Sequence, residues 1–299
     1  MIDGKKVILS MGGGMESTST LGLTLYDPRF QALRPDLVLF SDLGNEWKET
    51  YAHLEFVKGI CQREGIEYAV ITPEVHRGKK LFGENRQYTK LIDYLMDVKA
   101  VPGKAPNGKR LCTELFKVET IQDYLKERFE GQDLVVLIGF GSDEKSRIKR
   151  GENTVPGWTN RFLLDEADMC RCKSIEYMRS LGWPVPRRSG CTFCPFAKKM
   201  DFQVQAEVYP EDWKLTVALE RNNRRFNDPE KPFFMVAANK PVDEWILTKD
   251  QKRERLCKGC GAEVDLALHV FGDTPLFKAY QDLKAKKLAE MQKKEQVTA

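Results

Sequence analysis

The sequence has no long hydrophobic run and no large excess of charge of either sign. Its longest apolar stretches, such as LVVLIGF at residues 134–140, have the length of a strand, and the opening MIDGKK lacks the apolar core of a secretion signal. We therefore expect no membrane span and a cytoplasmic location. Lys and Arg number 48 against 44 Asp and Glu, so a nucleic-acid partner would have to bind a local basic patch.

No internal repeat is present, and 299 residues suffice for one large domain or a domain with an added module. The apolar share of 41% supports a substantial core. The chain has eight cysteines, and thiols stay reduced in a cytoplasmic compartment. This number therefore indicates metal binding or catalysis more than disulfides.

Short apolar runs alternate with amphipathic stretches along the first half of the chain. Runs at 7–9, 37–40, 68–71 and 134–138 have the composition of buried strands, and in 47–63 the apolar residues recur at helical spacing. Strands and helices in this order predict an α/β fold with a parallel, helix-covered sheet. The loops after the strands would then form the binding crevice.

Two irregular stretches interrupt this pattern. Residues 98–113 contain two prolines and two glycines, which is typical of a long functional loop, and 182–196 is similarly irregular. Beyond about residue 205 the pattern is helical and charged, and 276–296 predicts a Lys/Glu-rich helix. We expect one domain over 1–200 and a smaller, mainly helical C-terminal region over 201–299.

Three consecutive glycines, Gly12, Gly13 and Gly14, follow the first strand directly. Such a loop turns backbone N–H groups inward, and the next helix adds the partial positive charge of its N-terminus. Ser17 and Thr18 could donate hydrogen bonds to the same anion. The sequence thus predicts a phosphate cradle that is neither a Walker A loop nor a dinucleotide fingerprint. The alternative is a tight turn that only needs a positive φ.

Two further strand ends carry polar residues that belong to the same crevice. Asp42 follows the second strand and could reach a ribose, a base or a metal, or could lie near a helix N-cap. After the fourth predicted strand, GSDEKSR brings Arg147 to the rim, where it could bind phosphates. The alternative for this stretch is a solvated run of charge.

The cysteines provide candidate metal ligands from three parts of the chain. Cys191 and Cys194 form a Cys-x-x-Cys-Pro segment of a kind found around iron–sulfur clusters. With Cys112 and either Cys170 or Cys172 they would make four ligands for a [4Fe–4S] cluster. The competing hypothesis combines 191/194 with Cys257 and Cys260 in a Cys₄ zinc site. We interpret Cys61 as an inert helix residue.

Taken together, five segments resemble the phosphoadenosine-phosphosulfate reductase-like branch of the adenine-nucleotide α-hydrolase (PP-loop ATP pyrophosphatase) superfamily. They are SMGGGMEST, FSDLGNEWKET, KRLCTELFKVETI, GSDEKSR and PVPRRSGCTFCPF, which together span residues 5 to about 200. Each motif is weak alone, but their order and spacing are specific. The resemblance implies a doubly wound sheet and ATP bound over the glycine loop.

The resemblance also implies the reaction and the site residues. ATP with Mg²⁺ would be split between the α and β phosphates, giving pyrophosphate and an adenylated acceptor that then receives sulfur. Relatives with four cysteines hold a [4Fe–4S] cluster. The expected phosphate and nucleotide ligands are Ser10, Gly12, Gly13, Gly14, Ser17, Thr18 and Asp42. The expected cationic catalytic groups are Arg147 and Lys117, and the expected cluster ligands are Cys112, Cys172, Cys191 and Cys194.

The sequence departs from the family pattern at three places. Glu16 and Met15 stand where relatives have other residues, so the cation at the β and γ phosphates must come from elsewhere, with Lys117, Arg110 or Arg147 as candidates. The family cysteine aligns near Ser174, which leaves Cys170 or Cys172 as the third ligand. The sequence GCGAEVDLALH at 259–269 lacks the Glu-Cys-Gly-x-His ending of sulfonucleotide reductases.

We therefore expect an ATP-dependent sulfur-transfer enzyme whose acceptor is anionic, a nucleic acid or nucleotide. Its sulfur donor would be a protein such as a cysteine desulfurase, and a homo-oligomer stays open. The first alternative is a reductase of adenylyl-sulfate nucleotides, which would not need ATP. The second is a nucleotide-binding accessory protein with a structural cluster. Arg187–Arg188 and Lys198–Lys199 flank the 191–194 loop, either for an anionic substrate or as ordinary surface charge.

Overall fold

The computed structural model describes residues 4–77, 86–103, 110–152, 155–236, 239–248 and 256–298. Residues 104–109 of the predicted loop at 98–113 lie outside the described residues. The strands are β1 (Lys6–Met11), β2 (Leu37–Ser41), β3 (Glu67–Ile71), β4 (Val75–Arg77), β5 (Arg86–Tyr88), β6 (Leu134–Ile138) and β7 (Trp158–Arg161).

The helices that precede the irregular stretch at 182–196 are α1 (Met15–Tyr26), α2 (Lys48–Glu64), α3 (Leu91–Asp97), α4 (Leu111–Thr113), which continues through a π-helical segment at Glu114–Glu119, α5 (Thr120–Arg128), α6 (Lys145–Gly151), α7 (Leu163–Glu166) and α8 (Arg171–Ser180). Those that follow it are α9 (Lys199–Val208), α10 (Pro210–Arg221), α11 (Val242–Trp245), α12 (Leu266–Phe271) and α13 (Pro275–Thr298).

A five-stranded parallel sheet in the order β3-β2-β1-β6-β7 forms the centre of the fold. The chain moves from β1 outward to β3, then returns to the other side of β1 for β6 and β7. The order therefore reverses between β1 and β6, and a crevice opens there beyond the carboxyl ends of both strands. This confirms the predicted α/β fold with a doubly wound parallel sheet.

Side chains of the central strands alternate between two apolar layers. Val7, Leu9 and Met11 of β1 enter the core on one face, whereas Ile8 enters the core on the other, where Leu125 of α5 packs. Each such side chain contributes about 1.5–3 kcal/mol when it is fully buried. Because a slip of one residue would exchange the two faces, this alternation determines the register.

The strand at 67–71 is present, but the expectation that it is buried is wrong. β3 lies at the edge of the sheet, and Val70 is 53% exposed. Its apolar residues alone could not distinguish an edge strand from a central one. β7, with its polar sequence WTNR, was not predicted.

The C-terminal helices pack closely against the sheet domain. Phe202, Leu219 and Val242 share an apolar cluster with Leu43 and Phe116, which flank the crevice. A second cluster joins residues of α9, α12 and α13 to Trp47. The domain boundary near residue 200 stays a prediction, although the two parts share their cores. In the part of the chain that the structure describes, no helix has the length and apolarity that crossing a bilayer requires.

A buried ion pair connects the 182–196 segment to α9. Asp201 is fully buried and accepts hydrogen bonds from Arg187 Nη2 at 2.8 Å, Arg188 Nη2 at 3.2 Å and the Lys198 N–H at 2.7 Å. The Arg187 guanidinium lies 4.0 Å from the centre of the Trp47 ring, and burial lowers its pKa below the usual value. Arg187 is thus an internal brace, neither a substrate contact nor ordinary surface charge.

We predict that Asp201→Asn lowers the free energy of unfolding by about 3 kcal/mol, because it leaves the Arg187 charge buried without its carboxylate partner. Urea denaturation of the full chain measures this. Glu207→Gln on the same helix is the matched control, since the Glu207–Lys286 pair is exposed and a change there should cost less than about 0.5 kcal/mol. Equal losses in the two variants would contradict the prediction.

Candidate active site and metal centres

The glycine loop lies at the crevice, between the end of β1 and the start of α1. Gly13 has φ +69°, and a Cβ there would lie 2.9 Å from Thr50 Cγ2. Gly14 is the N-cap of α1, whose first N–H groups have no acceptor within the helix. Backbone N–H donors and the positive end of α1 therefore lie together at this turn, an arrangement that can bind an anion.

The hydroxyls of Ser17 and Thr18, at the start of α1, form hydrogen bonds with the backbone of the glycine loop. Ser17 Oγ accepts the Gly12 N–H at 3.1 Å and donates to the Gly14 carbonyl at 3.1 Å. Thr18 Oγ1 donates to the same carbonyl at 2.9 Å and is completely buried. Ser10 lies at the end of β1 and is half-buried. In this structure the hydroxyls of Ser17 and Thr18 shape the loop, and its backbone supplies the donors for an anion.

The buried side chain of His53 contacts Thr18 beside the glycine loop. Thr18 Oγ1 lies 2.8 Å from Nε2 of His53 on α2. With the Thr18 hydroxyl donating to the Gly14 carbonyl, the His53 ring donates from Nε2. Burial lowers the pKa of His53 to about 4, so the ring is neutral near pH 7.

The loop after β6 forms the opposite wall of the crevice. A Cβ on Gly139 would lie 2.6 Å from the Ser17 backbone N and 2.8 Å from the Glu16 carbonyl carbon, so only glycine allows the two loops to approach. Beyond it, the Arg147 guanidinium lies 4.1 Å from the centre of the Phe140 ring and pairs with Glu144. Arg147 is 47% exposed and belongs to α6, which follows this loop.

Asp42 lies at the end of β2 on the near side of the crevice. Its Oδ1 accepts the Gly44 N–H at 2.8 Å and the Tyr51 hydroxyl at 2.8 Å. Burial and the neighbouring Asp42 carboxylate both raise the pKa of Tyr51, so the phenol stays a donor. The carboxylate is thereby fixed in orientation at the strand end.

Glu46 is a buried carboxylate that connects the crevice to the cysteine loops. Its side chain is fully buried; Oε2 accepts the Gly190 N–H at 2.8 Å, and Lys117 Nζ lies 3.4 Å from Oε1. Burial acts to lower the pKa of Lys117, but Glu46 and the nearby thiols of Cys191 and Cys112 outweigh it and raise that pKa. Lys117 therefore stays charged beside the cysteines.

Cys112, Cys191 and Cys194 form what we call the three-thiol group. Cys112 packs against the apolar cluster that contains Cys191. Burial raises the pKa of Cys191 and of Cys194, and the neighbouring Cys112 thiol acts in the same direction. The Cys194 N–H donates to the Cys191 carbonyl at 3.1 Å, which closes the turn between them. The Arg110 guanidinium stacks 4.0 Å from the centre of the Phe196 ring beside this turn.

Cys170, Cys172, Cys257 and Cys260 form a separate four-thiol group. Their sulfur atoms all lie within 4.8 Å of one another. Burial acts to raise the pKa of Cys257, but the N–H groups of Cys260 and Gly259 and the thiols of Cys170 and Cys172 lower it to about 7. Such a set of thiols could hold a metal.

This arrangement differs from the predicted ligand set. The prediction placed Cys172 with the three-thiol group, and the zinc hypothesis combined 191/194 with 257/260. In the structure Cys172 lies with Cys170, at the start of α8 beside the β6 loop, and the 257–260 turn packs onto them. The three-thiol group lies on the β2 side of the crevice.

An ion pair connects the four-thiol group to the glycine loop. Arg171, between Cys170 and Cys172, donates from Nη1 to Glu16 Oε1 at 2.6 Å and from Nη2 to the His269 carbonyl at 2.7 Å. Sequence reasoning missed the roles of Arg171 and Glu46. For Glu46 a signal was available, because an acidic residue soon after a strand end lies near the crevice by topology.

No protein-family model matches the chain, and no curated protein matches it. Among solved structures, that of the U34-tRNA thiolase NcsA from Methanococcus maripaludis with its [4Fe-4S] cluster is similar, with a TM-score of 0.36 and 13% sequence identity. The alignment covers 73% of this chain and 71% of that chain. A likeness of this size says nothing about the reaction of this chain.

We predict that His53 makes stability depend on pH. The unfolded chain takes up the proton near pH 6.5, whereas the folded chain does so only near pH 4. The contribution of the neutral His53 ring to the free energy of unfolding is therefore complete above pH 6.5. About 3 kcal/mol of that free energy is lost as the pH falls to 4. Urea denaturation at pH 7, 6 and 5 measures this loss.

His53→Gln is the informative variant, because its amide can still donate to Thr18 but does not titrate. Its stability should change less than that of the original chain between pH 7 and 5. Parallel pH curves for the two proteins would show that His53 does not carry the effect.

Proposed function

We propose that the protein is an ATP-dependent sulfur-transfer enzyme that adenylates an anionic acceptor, a nucleic acid or nucleotide. The observation that carries this proposal is the close approach of the glycine loop to the segment bearing two of the three thiols. A Cβ on Gly14 would lie 2.9 Å from Ser189 Oγ, two residues before Cys191. A phosphate cradle and a sulfur-binding centre this near each other suit a reaction in which both act on one substrate.

In this proposal the N–H groups of Gly13 and Gly14 and the start of α1 bind the ATP phosphates, while the Gly12 N–H donates to Ser17 Oγ within the loop. Ser10, Ser17 and Thr18 shape that loop. Asp42 binds Mg²⁺ or the ribose at the end of β2. Lys117, kept charged by Glu46, and Arg147 at the opposite rim supply the positive charge that the leaving pyrophosphate requires.

The proposed reaction has two displacements. An oxygen of the acceptor attacks the α-phosphorus of ATP, the bond to the β-phosphate bridging oxygen breaks, and pyrophosphate leaves. Hydrosulfide then attacks the activated carbon, the carbon–oxygen bond breaks, and AMP leaves with the oxygen. Where a donor such as a cysteine desulfurase supplies a persulfide instead, its outer sulfur attacks the same carbon, and a second thiol then cleaves the S–S bond and leaves as a disulfide with the donor thiol. The nearby positive charges at the crevice stabilise the leaving group in the first step.

The chemistry of the three-thiol group fits an iron–sulfur cluster. Its members are soft thiol donors beside the Lys117 cation. Among the described residues, the sulfurs of the four-thiol group lie within 4.8 Å of one another, and those of the three-thiol group do not. A [4Fe–4S] cluster bound by Cys112, Cys191 and Cys194 alone would leave one iron without a protein ligand, where exogenous sulfur can bind. Cys172, the fourth ligand predicted from the sequence, lies in the other group.

The full chain should release pyrophosphate from ATP when the acceptor is present, and AMP when a source of hydrosulfide is added as well; Gly139→Ala should reduce both. The added methyl group would meet the backbone at Glu16 and Ser17, so the glycine loop must shift and ATP binding should weaken at least about tenfold, or 1.4 kcal/mol. Calorimetric titration with a non-hydrolysable ATP analogue measures the binding.

Gly103→Ala is the matched control, because a Cβ there meets nothing within 4 Å. It should bind ATP like the original chain. Cleavage of ATP only between the β and γ phosphates, or no binding at all, would contradict the proposed activity.

Cys191→Ser should remove the iron, whereas Cys61→Ser, on the buried face of α2, should keep it. Iron and acid-labile sulfide, counted after anaerobic purification, should fall from about four each per chain to near zero. Circular dichroism shows whether both variants are folded. Iron that persists in folded Cys191→Ser would contradict the assignment of the cluster to the three-thiol group.

A further inference from the structure

The 257–260 segment is a tight turn built around its first cysteine. The Cys257 N–H donates to the Ala262 carbonyl at 2.8 Å, and the Gly261 N–H donates to the Cys257 carbonyl at 2.9 Å. An isolated antiparallel bridge joins Leu256 to Glu263. Gly261 has φ +73°, which glycine adopts without strain. The turn is therefore rigid before any ligand binds.

The start of α8 carries two of the four thiols. Cys170 is the N-cap of this helix, and Cys172 lies in its first turn. The positive end of a helix stabilises negative charge on sulfur, as a set of metal-bound thiolates requires.

The two segments approach so closely that their sulfurs surround one point. A Cβ on Gly259 would lie 2.4 Å from Cys170 Cβ, so the turn can pack here only because residue 259 is glycine. Four thiolates at the Zn–S distance of about 2.3 Å lie about 3.8 Å apart in a tetrahedron. The four sulfurs, all within 4.8 Å of one another, match a single shared ion. In a cubane each thiolate binds a different iron, which spreads the sulfurs farther apart.

We infer that Cys170, Cys172, Cys257 and Cys260 bind one zinc ion, in a closed structural site separate from the three-thiol group. All four positions of a tetrahedral ion are then filled by protein sulfur, which is the donor set of structural zinc. The ion fastens the turn at 257–260 to the start of α8. The inference rests on these contacts and does not depend on the proposed sulfur transfer.

Hydrogen bonds of Arg171 connect the zinc site to Glu16, which follows the glycine loop. Arg171 stands between two of the ligands and holds Glu16 at 2.6 Å, while its other nitrogen binds the carbonyl of His269 on α12. Cys172 sulfur also lies 3.6 Å from His269 Nε2. Loss of the ion would free α8 from the C-terminal segment and loosen the support of Glu16.

The test is metal analysis of the full chain by mass spectrometry after anaerobic purification without added metal. We expect about one zinc per chain, retained in Cys112→Ser and Cys191→Ser and in the control Cys61→Ser. Cys260→Ser and Cys172→Ser should each lose most of the zinc. Cys260 is exposed, so its variant should still fold, and circular dichroism confirms this.

Cobalt substitution provides a second readout that does not depend on activity. Co²⁺ bound to the four-thiol group should give the intense visible bands of a tetrahedral tetrathiolate, and these bands should vanish in Cys260→Ser. Iron that is lost in Cys260→Ser but retained in Cys112→Ser would overturn the inference, as would four freely reactive thiols in a folded chain without metal.

The outcomes separate this inference from the proposed function. Zinc at the four-thiol group without iron elsewhere would support the inference and remove the cluster from the proposed reaction. Iron at the three-thiol group without zinc would do the reverse. Pyrophosphate release from ATP is measured independently of both.

Discussion

One buried carboxylate organises the near side of the crevice. Glu46 is fully enclosed, and a buried charge is stable only when donors surround it. Its partners are the Gly190 N–H and the Lys117 ammonium, which come from two segments far apart in sequence. Cys191 follows Gly190 directly, and Cys112 lies five residues before Lys117. Satisfying this one charge therefore brings the cysteines of both segments to the crevice.

A close backbone contact and an ion pair organise the far side of the crevice. There the close approach of Gly139 to the glycine loop leaves no room for a side chain, and Arg171 ties Glu16 to the segment that bears Cys170 and Cys172. The two thiol groups thus lie on opposite sides of the glycine loop. The sulfurs of the four-thiol group lie within 4.8 Å of one another, whereas the three-thiol group lies beside the Lys117 cation.

Much of the scaffold could be predicted from local patterns. The apolar runs at 7–9, 37–40 and 134–138 are strands because buried parallel strands need continuous β-favouring apolar residues, and the helix at 47–63 follows from its apolar spacing. It ends at Gly65, whose φ of +64° closes a helix. The edge position of β3 and the polar strand β7 could not be predicted this way, because neighbours in the sheet are not encoded by local composition.

The sequence by itself determined the fold class, the glycine loop after β1 and the supply of thiols, since each depends on residue type and short spacing. Only the tertiary structure decided how the thiols are grouped. Cys172 lies with Cys257 and Cys260 and not with Cys191, because α12 and the 257–260 turn fold back across the start of α8. It also decided that Arg187 is an internal brace, because pairing with Asp201 offsets the cost of its burial. Contacts between segments far apart in sequence follow from packing, which spacing along one chain does not reveal.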